Sequence, residues 1–245
     1  MRNSTSDNML DLQNTAFCVL DVETTGLNFK KDRICEIAFV ITTAEKVIHT
    51  ADTFVDPGMP IPAVVSKIHG IFDKDVVGAP TTFPYGIKLP PRDCYVAHNA
   101  RFDSSFLPAL SRKPWLCTRR LAKRVLPGMK SYGNQALRHA LELDVEMPEG
   151  GRPHRALPDA LVTAAILRHL LAYLPEGAPT TLEGLVDWCN EPSLLTTCYF
   201  GKQHRGKAWS EVPREYLQWM ESNCTNLDVD IRHTVTHYLE KSSAG

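Results

Sequence analysis

No stretch of this chain approaches the roughly 18 unbroken apolar residues that a membrane-crossing helix requires. Residues Met1 to Asn14 are polar and lack the apolar middle of a signal peptide, which points to the cytoplasm. There is no Cys-x-x-Cys pair and no Cys/His set at finger spacing, so a structural zinc site is not expected. The seven cysteines (18, 35, 94, 117, 189, 198 and 224) are odd in number and widely spread, and read as reduced thiols. Internal repeats and low-complexity segments are absent as well. Charge of one sign is also lacking: 27 Lys and Arg stand against 28 Asp and Glu, a net of −1. Taken as a sum, that balance argues against a nucleic-acid binder.

The chain that remains is ordinary globular material. Its 43% hydrophobic and 22% charged residues exclude a wholly disordered or collagen-like protein. A length of 245 residues suits one large domain, or a medium domain with a small companion. The charge, moreover, is unevenly spread. Residues 101 to 140 hold nine Lys and Arg against one acid, Asp103, a local net of +8. Lys30, Lys31 and Arg33 form a second basic group, and Lys202, Arg205 and Lys207 a third.

Short apolar runs predict strands at Ala16 to Leu20, Ile34 to Ile41 and Lys46 to Phe54, an antiparallel meander. One or two short helices are expected over Val64 to Val77, then a proline-punctuated connection from Pro80 to Pro91. Further strands fall at Cys94 to Ala97 and, at a sheet edge, Trp115 to Cys117. Helices are expected over Phe102 to Leu110, Thr118 to Leu126, Asn134 to Leu143 and Ala160 to Leu174. The last is apolar almost all round and should be deeply buried. This order predicts an α/β domain on a mixed sheet with flanking helices. The Pro/Gly cluster from Pro175 to Pro179 marks a boundary, beyond which lie three of the four tryptophans (188, 209 and 219).

The chemistry concentrates in acids. Asp21 and Glu23 share a strand end with one residue between them, so both carboxylates face one side. Two like charges so close call for a neutralising cation. Asp103 follows the strand end at His98-Asn99, and Asp159 sits at the start of the apolar helix, with His154 five residues ahead. Each has an ordinary explanation alone: a solvated strand exit, a dipole-complementing first-turn acid, a surface loop. Their joint occurrence does not.

Asp21-Val22-Glu23-Thr24-Thr25-Gly26-Leu27, His98-Asn99-Ala100-Arg101-Phe102-Asp103 and His154-Arg155-Ala156-Leu157-Pro158-Asp159-Ala160 resemble, in order, the three motifs of the DEDDh family of 3′→5′ exonucleases. The resemblance spans about residues 15 to 174. Within the family it is nearest the exodeoxyribonuclease X group, because Pro192 to Thr197, Phe200-Gly201-Lys202 and Tyr216 to Trp219 are similar as well. It implies a ribonuclease H-like fold with a five-stranded mixed sheet. The implied division is a poorly ordered segment 1–14, an exonuclease domain 15–174, a linker 175–181 and a small C-terminal module 182–245.

The resemblance also implies the site. Asp21, Glu23, Asp103 and Asp159 would hold two Mg²⁺ or Mn²⁺ ions, an all-oxygen set that suits hard cations. Asp21 would bridge the two ions and Asp103 would act largely through water. His154 would be the general base, reached through the flexible approach Gly150-Gly151-Arg152-Pro153; an imidazole titrating near neutrality suits that task. Backbone groups of Thr24 and Thr25 would grip the terminal nucleotide and Leu27 would wedge against its base. His98, Asn99 and Phe102 are further expected substrate contacts, whereas Phe106 is expected in the core.

The expected activity is release of 5′-mononucleotides from 3′ ends of DNA, single-stranded or at duplex ends, in repair or end trimming. An exoribonuclease on the same site is the alternative, and a non-catalytic nucleic-acid-binding protein a more distant one. No membrane partner is expected, and the sequence leaves the oligomeric state open. A DNA- or partner-docking role for the last seventy residues competes with a plain small core. The spacing Gly201 to Lys207 mimics a phosphate-binding loop, but Ala208 stands where the Mg²⁺-holding hydroxyl belongs.

Overall fold

The structure, a computed structural model, describes residues 12, 15–81 and 94–241. The segment 1–14, Leu12 apart, and most of the connection 80–91 lie outside the described residues. Strands β1 (Phe17–Thr24), β2 (Ile34–Thr42) and β3 (Val47–Phe54) form the expected meander. Beyond it, β4 (Tyr95–Ala97) and β5 (Trp115–Cys117) add in parallel, giving the order β3-β2-β1-β4-β5. This is the mixed five-stranded sheet that the strand pattern predicts, with β5 at its edge.

Alternation along the strands builds two cores, because successive side chains face opposite sides of the sheet. Phe17, Val19, Ala38, Val40, Val96 and Leu116 pack on one face against α6 (Ala156–Ala172). Cys18, Leu20, Val22, Ile37, Phe39 and Tyr95 pack on the other, where Phe102 and Phe106 of α3 (Ala100–Phe106) close over them. Covered on both faces, β2 is buried along its whole length. Helices α1 (Ala63–His69) and α2 (Asp73–Val76) occupy the region where short helices are expected. Helices α4 (Thr118–Val125) and α5 (Asn134–Ala140) follow β5.

Two element boundaries differ from expectation in ways that matter to the site. β1 does not stop at Asp21 but runs on to Thr24, so both carboxylates stand inside a paired strand. α6 begins at Ala156, four residues earlier than its apolar pattern indicates. Pro158 is tolerated there because the first-turn N–H groups have no partner within the helix.

The C-terminal part also divides differently. α7 (Leu182–Asn190) belongs to the α6 core: Leu182, Leu185, Val186 and Cys189 are buried in that cluster. A separate cluster of Cys198, Trp209, Leu217, Met220, Val235 and Leu239 is built by α8 (Arg214–Asn223), α9 (Val229–Lys241) and the turn before them. The change from one apolar cluster to the other thus falls after Asn190. The reason is that α7 packs its apolar face on β5 and α4. No helix among the described residues is long and apolar enough to cross a membrane.

Candidate active site

Asp21 and Glu23 share the parity of Phe17 and Val19, so they extend the α6 face beyond the apolar part of β1. The first turn of α6 meets them there and supplies Asp159. Carboxylate oxygens of Asp21, Glu23 and Asp159 all lie within 4.8 Å of one another. Asp103, on α3 just past the end of β4, is buried at 4% exposure, and its charge acts on both Asp21 and Glu23. Four acids from three separate stretches of sequence thus share one electrostatic pocket.

The energetics of that pocket are unfavourable without a cation. Burial, then the charges of Asp103, Glu23 and Asp159, push the Asp21 carboxyl well above its ordinary range. Burial and the neighbouring Asp159, Glu36 and Asp103 push Glu23 up to about 8. Burial also raises Asp103 to about 7, although backbone hydrogen bonds at Asp103 and Val22 pull the other way. Asp159 is raised by burial, against hydrogen bonds from Gln135 and the His154 backbone. Among the described residues none of these four acids has a salt-bridge partner. The donor set is oxygen only and its charge is uncompensated, so the residues present fit hard divalent ions such as Mg²⁺ or Mn²⁺.

Hydrogen bonds hold the frame. Gln135 donates to Asp159 Oδ1 at 2.8 Å, and the His154 backbone N–H donates to Oδ2 at 3.0 Å. Asn134 reaches the Asp159 carbonyl at 3.2 Å and Thr163 Oγ1 at 2.8 Å. The residue that sequence reasoning missed is Glu36. It sits opposite Glu23 in the β1–β2 ladder, only 2% exposed. Arg155 donates to it from Nε, at 3.0 Å to each carboxylate oxygen, and from a terminal nitrogen at 2.6 Å. The Ala156 N–H adds a bond of 2.9 Å to Oε2. Arg155, stacked over Phe54 at 5.2 Å, therefore ties the start of α6 to β2. One signal was available: Glu36 is the single charge inside the run Ile34 to Ile41.

His154 is exposed and holds a left-handed backbone with φ of 60°, directly before the Arg155 anchor. That conformation is uncommon for a side-chain-bearing residue. It leaves the ring at the surface beside Asp159, whose carboxyl its charge influences.

The expected substrate residues separate into two groups. Thr24 and Thr25 are buried and spend their polar groups on the turn: Thr24 Oγ1 donates to the Gly26 carbonyl at 2.6 Å. The Thr25 N–H donates to the Arg33 carbonyl at 2.8 Å, and Thr25 Oγ1 accepts from the Arg33 N–H at 3.0 Å. A Cβ at Gly26 would meet Asp32 Oδ2 at 2.5 Å, which explains the glycine. The same turn leaves Leu27 85% exposed. His98, expected to touch substrate, instead uses both ring nitrogens internally, at 2.9 Å from Thr118 Oγ1 and 2.8 Å from the Tyr132 carbonyl. Its burial lowers its pKa to about 4, so the ring is neutral. Asn99 is exposed before α3, whereas Phe102 is half-buried against Phe106 with ring centroids 5.1 Å apart.

Residues 18–167 match the family model described as exonuclease, RNase T. The chain is 37% identical to exodeoxyribonuclease 10 of Escherichia coli strain K12 over 227 residues, 91% of this chain and 99% of that protein. It is 31% identical to the DNA polymerase III epsilon subunit of Aquifex aeolicus strain VF5, covering 69% of this chain and 85% of the relative. A solved structure of exonuclease X in complex with 5′-overhanging duplex DNA superposes with a TM-score of 0.61 at 33% identity. It covers 71% of this chain and 99% of its own.

Proposed function

This chain belongs to the RNase T family of exonucleases, hydrolytic nucleases, and from that premise we propose that it degrades DNA from the 3′ end, releasing 5′-mononucleotides. The observation that carries the reading is the convergence of Asp21, Glu23 and Asp159 within 4.8 Å, with Asp103 buried beside them. Asp21, Glu23 and Asp159 would hold two divalent ions, Mg²⁺ or Mn²⁺, with Asp103 contributing from behind. Such ions, when bound, polarise the phosphodiester and ease ionisation of the attacking water. His154 takes the proton of that water at a ring nitrogen as its oxygen attacks phosphorus. The P–O3′ bond breaks with its electron pair on O3′, which takes a proton from solvent to become the 3′-hydroxyl of the shortened strand, and His154 returns its proton to solvent. Glu36 and Arg155 keep the His154–Asp159 segment on the sheet edge.

Leu27, at 85% exposure on a turn braced by Thr24 and Thr25, is the side chain free to press on the terminal base. Asn99 stands exposed at the head of α3 for a further contact, and the half-buried Phe102 edges the same wall. An apolar wedge ignores base identity, as sequence-independent trimming requires. Relatives named for DNA, exodeoxyribonuclease 10 among them, support DNA over RNA. With that substrate, we read the protein as acting in DNA repair or end trimming, in the cytoplasm.

The test is hydrolysis of 5′-labelled DNA and RNA oligonucleotides of one sequence with Mg²⁺. DNA should shorten stepwise from the 3′ end, and EDTA should stop it. Asp21→Ala should abolish the reaction, whereas His154→Ala should slow it by about 10²- to 10⁴-fold, the usual worth of a general base. RNA cleaved much faster than DNA would overturn the substrate assignment; undiminished activity of Asp21→Ala would overturn the site.

A further inference from the structure

The basic run at residues 101 to 140 finds a use where the C-terminal unit meets α4. Of the four cations on that helix, three face inward and are spent on docking. Arg120 and Arg124 donate to the backbone carbonyls of Asn190, Glu191 and Pro192. Lys123 donates to buried Asp230 of α9 at 2.7 Å, and Arg120 approaches the same carboxylate at 3.5 Å. Arg119 alone of the four is exposed and, among the described residues, has no acidic partner.

Arg119 lies on the seam of two adjoining clefts. The first, about 510 Å³, runs from Asn99 and Ala100 at the head of α3 across Arg101 and Lys113 to α9. The second, about 370 Å³, continues between Lys130 and Tyr132 on one wall and Tyr199 and Arg205 on the other. Arg119, Lys123 and Asp228 line both clefts, which makes them one continuous groove. Arg101, Lys113, Arg119, Lys130 and Arg205 are all exposed, and none has a carboxylate partner among the described residues. The one exposed acid in the lining, Asp228, turns its Oδ1 to the Asp230 N–H at 3.0 Å, at the start of α9. Tyr199, 38% exposed, is braced across the groove by its hydroxyl, which donates to the Met129 carbonyl at 2.9 Å.

We propose that this groove binds the phosphate backbone of single-stranded DNA leading away from the 3′ end, gripped jointly by α4 and the C-terminal unit. The inference rests on the DNA-exonuclease reading and adds a second place of contact to it. Three observations carry it. A row of unpaired cations with an aromatic ring among them is the composition by which proteins hold single strands without reading sequence. The groove opens at Asn99–Ala100, one helical turn from Asp103, on the sheet edge where the parallel strands β1 and β4 both end. Finally, Lys123 and Arg120 are engaged with Asp230 and Arg124 with backbone carbonyls, which leaves Arg119 as the cation of α4 free to meet a phosphate in the groove.

The experiment compares the full chain with Arg119→Ala/Lys130→Ala and, on the opposite wall, Arg205→Ala. Binding of fluorescent oligo-dT of 16 nucleotides is measured in EDTA across a salt series, and hydrolysis of that strand and of a dT trinucleotide is measured with Mg²⁺. The double variant should bind the long strand ~10-fold more weakly at 100 mM salt, with a log–log salt slope shallower by about 1.4, two phosphate contacts' worth. Arg205→Ala should show half that change in slope, and trinucleotide turnover should stay at the wild-type rate in both. Unchanged long-strand affinity would overturn the groove. So would an equal loss on the trinucleotide. A wild-type protein that degrades neither substrate would instead sink the exonuclease-on-DNA reading.

Discussion

Glu36 lies beneath the carboxylate cluster with its own charge turned to Arg155, and the two form a hydrogen-bonded pair that is 2% and 28% exposed. Removing one partner of such a pair leaves the other desolvated without compensation, which costs more than the pair itself contributes. Glu36→Gln keeps an acceptor for the Ala156 N–H but loses the charge, and should destabilise the protein by about 2 kcal/mol in urea unfolding. Its hydrolytic rate should fall as well, because Asp159 and the His154 backbone hang from the same anchor. Wild-type stability in Glu36→Gln would mean the pair does not fasten α6. At this scale the acids Asp21, Glu23, Asp103 and Asp159 were legible, since motif spacing exposes them. Glu36 was not, because its partner is 119 residues away and only the fold joins them. The internal bonds of His98 were hidden for the same reason: nothing near it in sequence announces Thr118 and the Tyr132 carbonyl as its partners.

Among the elements, α6 shows how periodicity locates a helix without locating its start. The apolar pattern predicts Ala160, whereas the helix begins at Ala156 because Glu36 receives Arg155 and the Ala156 N–H. Ala156, Ala160 and Ala164, one turn apart, are fully buried in the same core as Val19 and Ala38, so the helix lies close on the sheet. The pairing of α4 with α9 depends on a different buried acid. Burial would raise the Asp230 carboxyl, but hydrogen bonds from Lys123 and the Ser193 N–H outweigh it and hold the group below its usual range. Asp230→Ala would leave Lys123 and that N–H without their acceptor and remove the charge beside Arg120, at a cost of about 3 kcal/mol. The expected outcome is early proteolytic cleavage within 192–241, while residues 94–190 stay resistant. Equal resistance of the two parts would show that α9 is fastened by its apolar cluster instead.

The whole molecule carries a linkage between protonation, metal and stability. Glu23 titrates near 8 in the folded metal-free protein against an ordinary 4.5, and Asp103 near 7 against 3.8. Raised carboxylates mean that the folded state binds more protons than the unfolded one between those values. Stability is therefore greatest below the ordinary pKa and is lost as pH climbs through the raised one. Buried His98, lowered to about 4, works in the opposite direction, but only below its ordinary 6.5. From pH 6.5 to 8 the acids act alone. In EDTA the melting temperature should fall across that window, and saturating Mg²⁺ or Mn²⁺ should raise it and flatten the slope. A metal-free melting temperature that stays level or rises from pH 6.5 to 8 would contradict this account. The near-zero net charge hid this arrangement, since an acidic pocket and a basic groove cancel in a sum. Local rules, by themselves, determined the strand order of the meander, the buried helix and the family resemblance and marked the four acids as candidates, because alternation, helical spacing and contiguous motifs are written along the chain. Only the tertiary structure decided the Glu36–Arg155 anchor, the return of α7 to the first core and the groove between α4 and the C-terminal unit. Each joins residues far apart in sequence, and a contact that folding creates leaves no periodic trace in either partner's neighbourhood.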